Sequence, residues 1–328
     1  MIRALYHTPD GQLRTDLQPP EFDAARREPR GVLWVDLAGA HVESYEPVLC
    51  DTFGFHPLAV DDALRETHVP KVDNWDTYLY LVLQAVTFDR RNGPQLKTSE
   101  LDAFLGPNYL VTYHEQPIAV LEQVWTACTR DERHLKSGAA HLLYELTDHL
   151  VAGYMPVVDA IDEMIDAVEN QIFSTPTPDT LEQLFALKRA ALELRRTLSP
   201  QREVLNRLAR DDYAVVETQS RVYFRDVYDH LVRLYDINEG LRDLVSGALD
   251  TYLSVINNRM NDVMRILTII TTLFMPVSFL AGFFGMNFFM PRTPLYGWNS
   301  PPVFVLLLTA MLAVPLSMYL WMRRRRWM

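Results

Sequence analysis

From Ile266 to Phe284 the chain carries no ionisable side chain, and Arg265 closes the near end of that run. A stretch of about 19 residues makes roughly 29 Å of helix, enough to cross the hydrocarbon core of a bilayer. A second apolar run, Val303 to Met322, follows a short polar connection and stops against Arg323-Arg324-Arg325-Arg326. Two spans are therefore expected near the C-terminus, about 266–284 and 303–322, with a large polar region before them.

The basic residues orient those spans. Arg259 and Arg265 precede the first, four arginines follow the second, and the loop between them, Asn287 to Pro302, carries only Arg292. Positive residues stay inside, which predicts cytoplasmic ends, an outward-facing loop and a multi-pass protein of the cytoplasmic (inner) membrane. The 328 residues leave room for one sizeable soluble domain as well. A hydrophobic fraction of 48% and a mean hydropathy of −0.06 resemble those of a soluble protein, because the spans are diluted in the average. Met1 to Gln18 has no apolar core, so no secretory signal is expected. Cys50 and Cys128 have no paired spacing, which fits a reducing compartment and excludes a Cys-based zinc module. The net charge of −11 includes the basic tail, so the soluble part is more acidic still. Such a surface repels nucleic acid and draws cations, although many soluble proteins are equally acidic.

The first half mixes strand and helix signals. Gly31–Leu37, Thr77–Leu83 and Tyr109–Tyr113 read as strands, Pro57–Glu66 and Ile118–Lys136 as helices, which predicts an α/β domain over 1–137. A helical region is expected over 138–216. Ala139–Phe173 has helical spacing with Pro156 as a possible kink, Asp179 stands where a cap is needed, and Leu181–Leu198 runs up to Pro200. Asp211-Asp212 reads as a hairpin tip. From 217 to 284 no proline occurs until Pro276, which predicts one stalk helix of roughly 100 Å running into the first span, with Gly240 and Gly247 as the places where it would break. A helix this long needs partners for its apolar stripe, which points to oligomerisation. An outer loop over 285–302 and a basic tail over 323–328 complete the division.

Two spans per chain cannot enclose a pore, so a channel requires several copies around one axis. At about 100° per residue, Asn261, Met264, Thr268, Thr271, Met275, Ser278 and Gly282 share a sector of the first span, with Leu267 at its edge. Ile266, Ile269, Ile270, Leu273, Phe274, Val277 and Leu280 lie on the other side, expected to face lipid. Small and hydroxyl residues also join membrane helices, so spacing alone fits a pore lining and a helix contact equally.

Gly285-Met286-Asn287 ends the first span, and here the chain resembles the CorA family of magnesium channels, whose signature is this tripeptide. The resemblance extends to Met275–Gly282 before the signature, to Tyr223-Phe224-Arg225-Asp226-Val227-Tyr228-Asp229-His230 in the stalk, to Phe53-Gly54-Phe55-His56-Pro57-Leu58 and Pro70-Lys71-Val72 upstream, and to the closing Trp327-Met328. It covers the chain from about Leu33 onward, in the right order. It implies a funnel-shaped homopentamer in the bilayer, built from a cytoplasmic α/β domain, a long helical stalk and two C-terminal transmembrane helices.

It also implies roles. Asn287 would form a ring of amide oxygens at the mouth that hydrogen-bonds a hydrated Mg2+ without stripping its tightly held waters, with Gly285 and Met286 carbonyls as further acceptors. Met264, Leu267 and Met275 match positions that narrow the pore, where apolar rings gate by dewetting; Asn261 would be a second polar ring, with Thr271 and Ser278 between. A divalent ion gains roughly 4.6 kcal/mol crossing 100 mV inward, so no ATP is needed. Asp62 and Asp226 match the principal carboxylates that sense cytoplasmic Mg2+ between subunits, with Asp61 and Asp148 as helpers. Asp61 replaces a longer Glu of relatives. Carboxylates about 6 Å apart repel by roughly 3 kcal/mol at an effective dielectric of 20, and a bound divalent ion reverses this.

The expected function is thus a channel for Mg2+, and for Co2+, closed by internal Mg2+. Mg2+ is both cargo and regulator, no organic cofactor is implied, and the partners are further copies, lipid and divalent cations. One departure stands out: Phe288–Leu295 replaces the family's acidic Pro-Glu-Leu type loop, leaving Arg292 and no carboxylate outside. The rival is a ZntB-like zinc transporter of the same superfamily, against which Met286 argues; a different class is a membrane-anchored sensor or scaffold without flux. Nucleophile-elbow, Walker, HExxH and Rossmann glycine patterns are absent, so no enzyme is expected. His141 and Glu145 share a helix face without a ligand set around them, and no basic stripe supports nucleic-acid binding.

Overall fold

The computed structural model describes residues 1–15, 17–65, 68–89, 94–286 and 301–325. It comprises two compact units, Met1–Tyr252 and Leu253–Met328.

The first unit is built on a sheet with strand order β2-β1-β3-β7-β6-β5-β4. Its strands are β1 (Ile2–His7), β2 (Leu13–Arg14), β3 (Val32–Ala38), β4 (Lys71–Asn74), β5 (Leu79–Asp89), β6 (Gln95–Leu105) and β7 (Tyr109–His114). The β3 and β7 strands pair in parallel, Val35 opposite Val111, and the other pairings are antiparallel. Val32 to Leu37 are buried without alternation, as befits a central strand covered on both faces. One face packs under α1 (Pro19–Arg27), α2 (Val42–Pro47), a π turn over Val48–Thr52, and α3 (Pro57–Arg65). The other is covered by helices that follow the sheet: Trp34 of β3 lies 4.8 Å from Trp125 of α4 (Ala119–Arg130). Gln84 N on β5 donates to Gln201 Oε1 at 3.0 Å, on α8 (Pro178–Arg210).

The anchor of α3 shows how local sequence does this. Gly54 sits at φ +72°, a left-handed conformation glycine adopts freely, so Phe53 and Phe55 both turn inward. Phe55 stacks on Phe104 at 4.3 Å and leans on Tyr78 at 4.6 Å. Pro57 then opens α3, and His56 stacks on Trp75 at 4.5 Å. Phe55→Ala is expected to cost about 4 kcal/mol and lower the thermal midpoint, followed by tryptophan fluorescence in detergent, by about 10 °C. A fall of a degree or less would show that this cluster does not hold α3.

A buried polar network ties the parallel strands to α4. The Asp36 carboxylate accepts from Thr112 Oγ1 at 2.6 Å and Arg3 Nε at 2.8 Å, and His114 Nε2 stands 3.6 Å away. Arg3 reaches on to Glu122 with a bidentate pair at 2.9 and 2.7 Å. Burial alone would raise the Asp36 pKa, but His114, Thr112 and Arg3 hold it below its usual value. Burial likewise opposes charging of His114, and Asp36 overrides it, so the imidazole pKa is raised. The Asp36 contribution is present above about pH 4 and lost as pH falls through its lowered pKa; that of His114 is present below about pH 6.5 and lost as pH rises through its raised pKa. His114→Gln is therefore expected to lower the thermal midpoint more at pH 5.5 than at pH 9. An equal loss at both would refute the charged pair.

The helical part differs from the sequence reading in four places. Ile118–Lys136 divides into α4 and the short α5 (Arg133–Lys136), because Asp131 turns extended and its carboxylate holds Arg133 at 2.7 Å. Pro156 kinks nothing: α6 (Ala139–Ala152) ends at Gly153, and Pro156 lies in the first turn of α7 (Met155–Ser174), where its missing N–H costs nothing. The cap of α8 is Thr177, whose hydroxyl accepts from Thr180 N, rather than Asp179, which sits in the first turn. Pro200 does not end that helix. Leu194, Thr197, Leu198, Gln201, Val204, Leu205 and Leu208 continue one buried stripe across it, and that burial outweighs a proline cost of about 3 kcal/mol.

The long helix α9 spans Thr218–Phe284, 67 residues unbroken through Gly240, Gly247 and Pro276. Its residues Ser220, Phe224, Val227, Leu231, Leu234, Asn238, Leu241, Val245, Ala248 and Tyr252 are buried at alternating spacings of three and four. This chain covers that stripe itself: Asn238 Nδ2 donates to Ala191 O at 3.1 Å, and Tyr252 OH to Thr177 O at 3.2 Å. The expectation that the stripe calls for other subunits is corrected for this portion. In the second unit no residue of α9 is buried.

Candidate ion pathway and sensing residues

The second unit holds the rest of α9 and α10 (Pro301–Arg324), which ends at the basic tail. Both helices contain stretches long and apolar enough to cross a membrane, and neither stretch is buried in the protein. A core helix of a soluble protein would be covered; these are not. Arg325 stands 5.9 Å over the Trp321 ring at the end of α10, an arrangement suited to a membrane–water boundary.

Burial along α9 separates two sides. Ile269, Thr272, Leu273, Pro276, Val277 and Leu280 are half-buried. Thr268, Ile269 and Thr272 line a cleft with Met318, Trp321 and Met322, which places α10 toward that side. Ile269, Leu273, Val277 and Leu280, expected to face lipid, are thus partly covered within the chain. Asn261, Met264, Leu267, Thr268, Thr271, Met275, Ser278 and Gly282 all lie exposed, with Met264 and Leu267 at 57% and Met275 at 68%. Thr268 and Thr271 donate back to the carbonyls of Met264 and Leu267 at 2.7 and 2.9 Å. With their protons so used, these hydroxyl oxygens offer lone pairs outward, the polarity a hydrated cation's waters require.

At the end of α9, Gly285 N donates to Ala281 O at 2.9 Å, and a Cβ on Gly285 would meet that same oxygen at 2.9 Å. The helix end therefore admits no side chain there without a shift. Met286 is exposed. Asn287, Arg292 and the rest of the outer loop lie outside the described residues.

The sensing candidates stand on α3, α6 and α9. Asp61 and Asp62 stand on α3, opposite the buried Ala59, Val60, Ala63 and Leu64. Asp61 pairs with Arg65 at 2.5 Å, and Arg65 also holds Glu46 at 2.8 Å. Asp148 of α6 and Asp226 of α9 both act electrostatically on Tyr144, whose hydroxyl pKa is raised by burial first and then by these two carboxylates. Asp226 is exposed and Asp148 half-buried. Among the described residues of one chain, no group of three or more His, Cys, Asp or Glu is arranged to hold a metal.

Sequence reasoning missed the partner of Asp62. Lys71 Nζ lies 2.5 Å from Asp62 Oδ2 and 3.3 Å from Asp73 Oδ2. Pro70-Lys71-Val72 was visible as a motif, but only the placement of β4 beside α3 brings its lysine onto the aspartate. Burial would lower the Lys71 pKa, and its two carboxylates raise it instead. Behind it, burial pushes Asp102 well above the usual carboxylate range, and Tyr80 OH donates to that group at 2.6 Å.

A sheet-based domain, one helix that runs on into an apolar segment, and a second apolar helix with a basic end define a two-span membrane protein. The model of the family described as "CorA-like Mg2+ transporter protein" matches residues 29–324, and the chain belongs to that family. It is 36% identical over 297 residues to the cobalt/magnesium transport protein CorA of Thermotoga maritima, across 90% of this chain and 83% of that protein. The putative metal ion transporter YfjQ of Bacillus subtilis is 34% identical over 296 residues, 90% of this chain and 89% of that one. The complete structure of the CorA magnesium transporter from Methanocaldococcus jannaschii has the same fold, with a TM-score of 0.84 at 21% identity over 100% of this chain and 99% of that one.

Proposed function

We propose that this protein is a channel that carries Mg2+, and Co2+ with it, into the cytoplasm down the electrochemical gradient. Five copies surround one axis in the cytoplasmic membrane, both termini inside, with the exposed side of α9 lining the path and α10 outside it. The observation that carries this reading is the exposed face from Asn261 to Gly282: it mixes amide, hydroxyl and methionine groups, and α10 lies toward the other side of the helix, meeting this face only at its Thr268 edge. Lipid is a poor neighbour for amide and hydroxyl groups, and a ring of like faces gives them water.

In this reading Gly285, Met286 and Asn287 form the outer mouth, and Asn261 the inner polar ring. Met264, Leu267 and Met275 form the narrow apolar neck, with Thr271 and Ser278 as hydroxyl steps. Asp62 of one subunit and Asp226 of the next bind cytoplasmic Mg2+, aided by Asp61 and Asp148, and so hold the channel closed. Within one chain these carboxylates stand on different elements, Asp61 and Asp62 on α3, Asp148 on α6 and Asp226 on α9, which suits a site shared between copies. Reconstituted protein is expected to pass Mg2+ and Co2+ into liposomes in proportion to an inside-negative potential. Zinc flux alone, or no flux of any divalent ion, would overturn the assignment.

A further inference from the structure

The inference here rests on Asp62 as a sensing carboxylate and concerns what occupies it when no ion is bound. Lys71 Nζ is 2.5 Å from Asp62 Oδ2, with the two side chains 26% and 30% exposed. That is enclosed enough to limit screening and open enough for an ion to reach. The ammonium has a second seat at Asp73, 3.3 Å away, and Nζ stands over the Tyr80 ring, 5.2 Å from its centre. His68 stands 3.8 Å from the same Asp62 oxygen, and Glu100 accepts from His68 N at 2.9 Å. The backbone under Lys71 is fixed by β-pairing with Val82, so the movable part is the side chain alone.

We infer that Lys71 is a tethered competitor for the divalent ion at Asp62, and that its charge sets the internal Mg2+ concentration at which the channel shuts. A divalent ion and an ammonium cannot share one carboxylate oxygen at contact distance, because like charges repel there as strongly as the aspartate attracts. Binding of the ion displaces Nζ toward Asp73, which keeps the lysine neutralised and spares it a bare half-buried charge. When internal Mg2+ falls, the ammonium returns to Asp62 and relieves the carboxylate without a metal. The three residues form an exchange: Asp62 is contested, Lys71 moves, and Asp73 receives it.

The exchange makes two predictions of opposite sign, read as the internal Mg2+ concentration giving half-inhibition of flux through the full-length assembled protein in liposomes. Lys71→Met keeps the stem and removes the competitor, and is expected to lower that concentration about fivefold, the factor one partly exposed ion pair supplies. Asp73→Asn removes the receiving seat and is expected to raise it. Lys71→Arg, which keeps a charge, is expected to stay nearer the wild type than Lys71→Met. In an Asp62→Asn background, Lys71→Met is expected to shift nothing. If Asp62→Asn changes the Mg2+ dependence while Lys71→Met leaves it unchanged or raises it, the competitor role is overturned and the sensor stands. A Lys71→Met shift that persists in the Asp62→Asn background overturns it as well. If Asp62→Asn itself has no effect on Mg2+ dependence, the sensing role of Asp62 falls, and this inference with it. Should Lys71→Met fail to assemble, an unchanged or lowered half-inhibition in Asp73→Asn decides against the exchange on its own.

Discussion

Asn287→Ala is expected to abolish Mg2+ uptake, a fall of at least about a hundredfold, while the oligomer still assembles. Mg2+ gives up its waters reluctantly, so its first contact must accept hydrogen bonds from those waters without replacing them. A ring of neutral amide oxygens does this, and alanine offers nothing in its place. Loss of one well-placed electrostatic partner per subunit, repeated around a ring, accounts for an effect of this size. Gly285→Val is the companion variant. Its Cβ would meet the Ala281 carbonyl oxygen at 2.9 Å and force the end of α9 to move, which displaces the mouth without touching Asn287 chemically. Uptake by cells or liposomes, with assembly checked by size in detergent, reads both. Wild-type flux in Asn287→Ala would remove the mouth from the mechanism.

The second large effect is expected at Asp226, in the first unit. Asp226→Ala is expected to leave conduction intact and to raise the internal Mg2+ needed for half-inhibition by about tenfold or more. A carboxylate that shares a divalent ion with its opposite number across a subunit boundary contributes attraction only while the ion is present; without the ion it repels. Asp226 is exposed on α9, as the proposed site between copies needs, and it acts with Asp148 on the Tyr144 hydroxyl. Removing Asp226 therefore takes away the ion's anchor and some of the repulsion at once. Flux at low internal Mg2+ should match the wild type, and the difference should grow as Mg2+ rises. An unchanged Mg2+ dependence would dissociate Asp226 from closure.

Much of the fold was legible because it is written in period and charge. The uncharged runs give the two apolar helices, and the absence of proline before Pro276 gives the unbroken α9. The buried run at Val32–Leu37 gives the central strand. What stayed hidden was decided by packing between distant residues. The β6 strand, Gln95–Leu105, begins with exposed polar residues and acquires its identity from eleven pairings with β5. Pro200 reads as a stop in one dimension and is overruled by a stripe of side chains against the sheet and α9. At the candidate site, the residue types on α9 could be named from spacing, but which side α10 covers could not, since helical period says what shares a face and nothing about what lies against it. The Lys71–Asp62 pair is the clearest case: two ordinary polar residues nine positions apart become a pair only when the start of β4 lies against α3.

Cysteine accessibility along α9 tests the central claim most directly. In a Cys50→Ser background, with Cys128 buried, Thr271→Cys and Ser278→Cys are expected to react with a small charged thiol reagent and to lose Mg2+ flux when they do. Ile270→Cys, on the side away from the proposed axis, should leave flux unaffected by the same reagent. Block at Ile270→Cys with Thr271→Cys and Ser278→Cys untouched would contradict the pathway outright, since the water would then run along the opposite side of the helix.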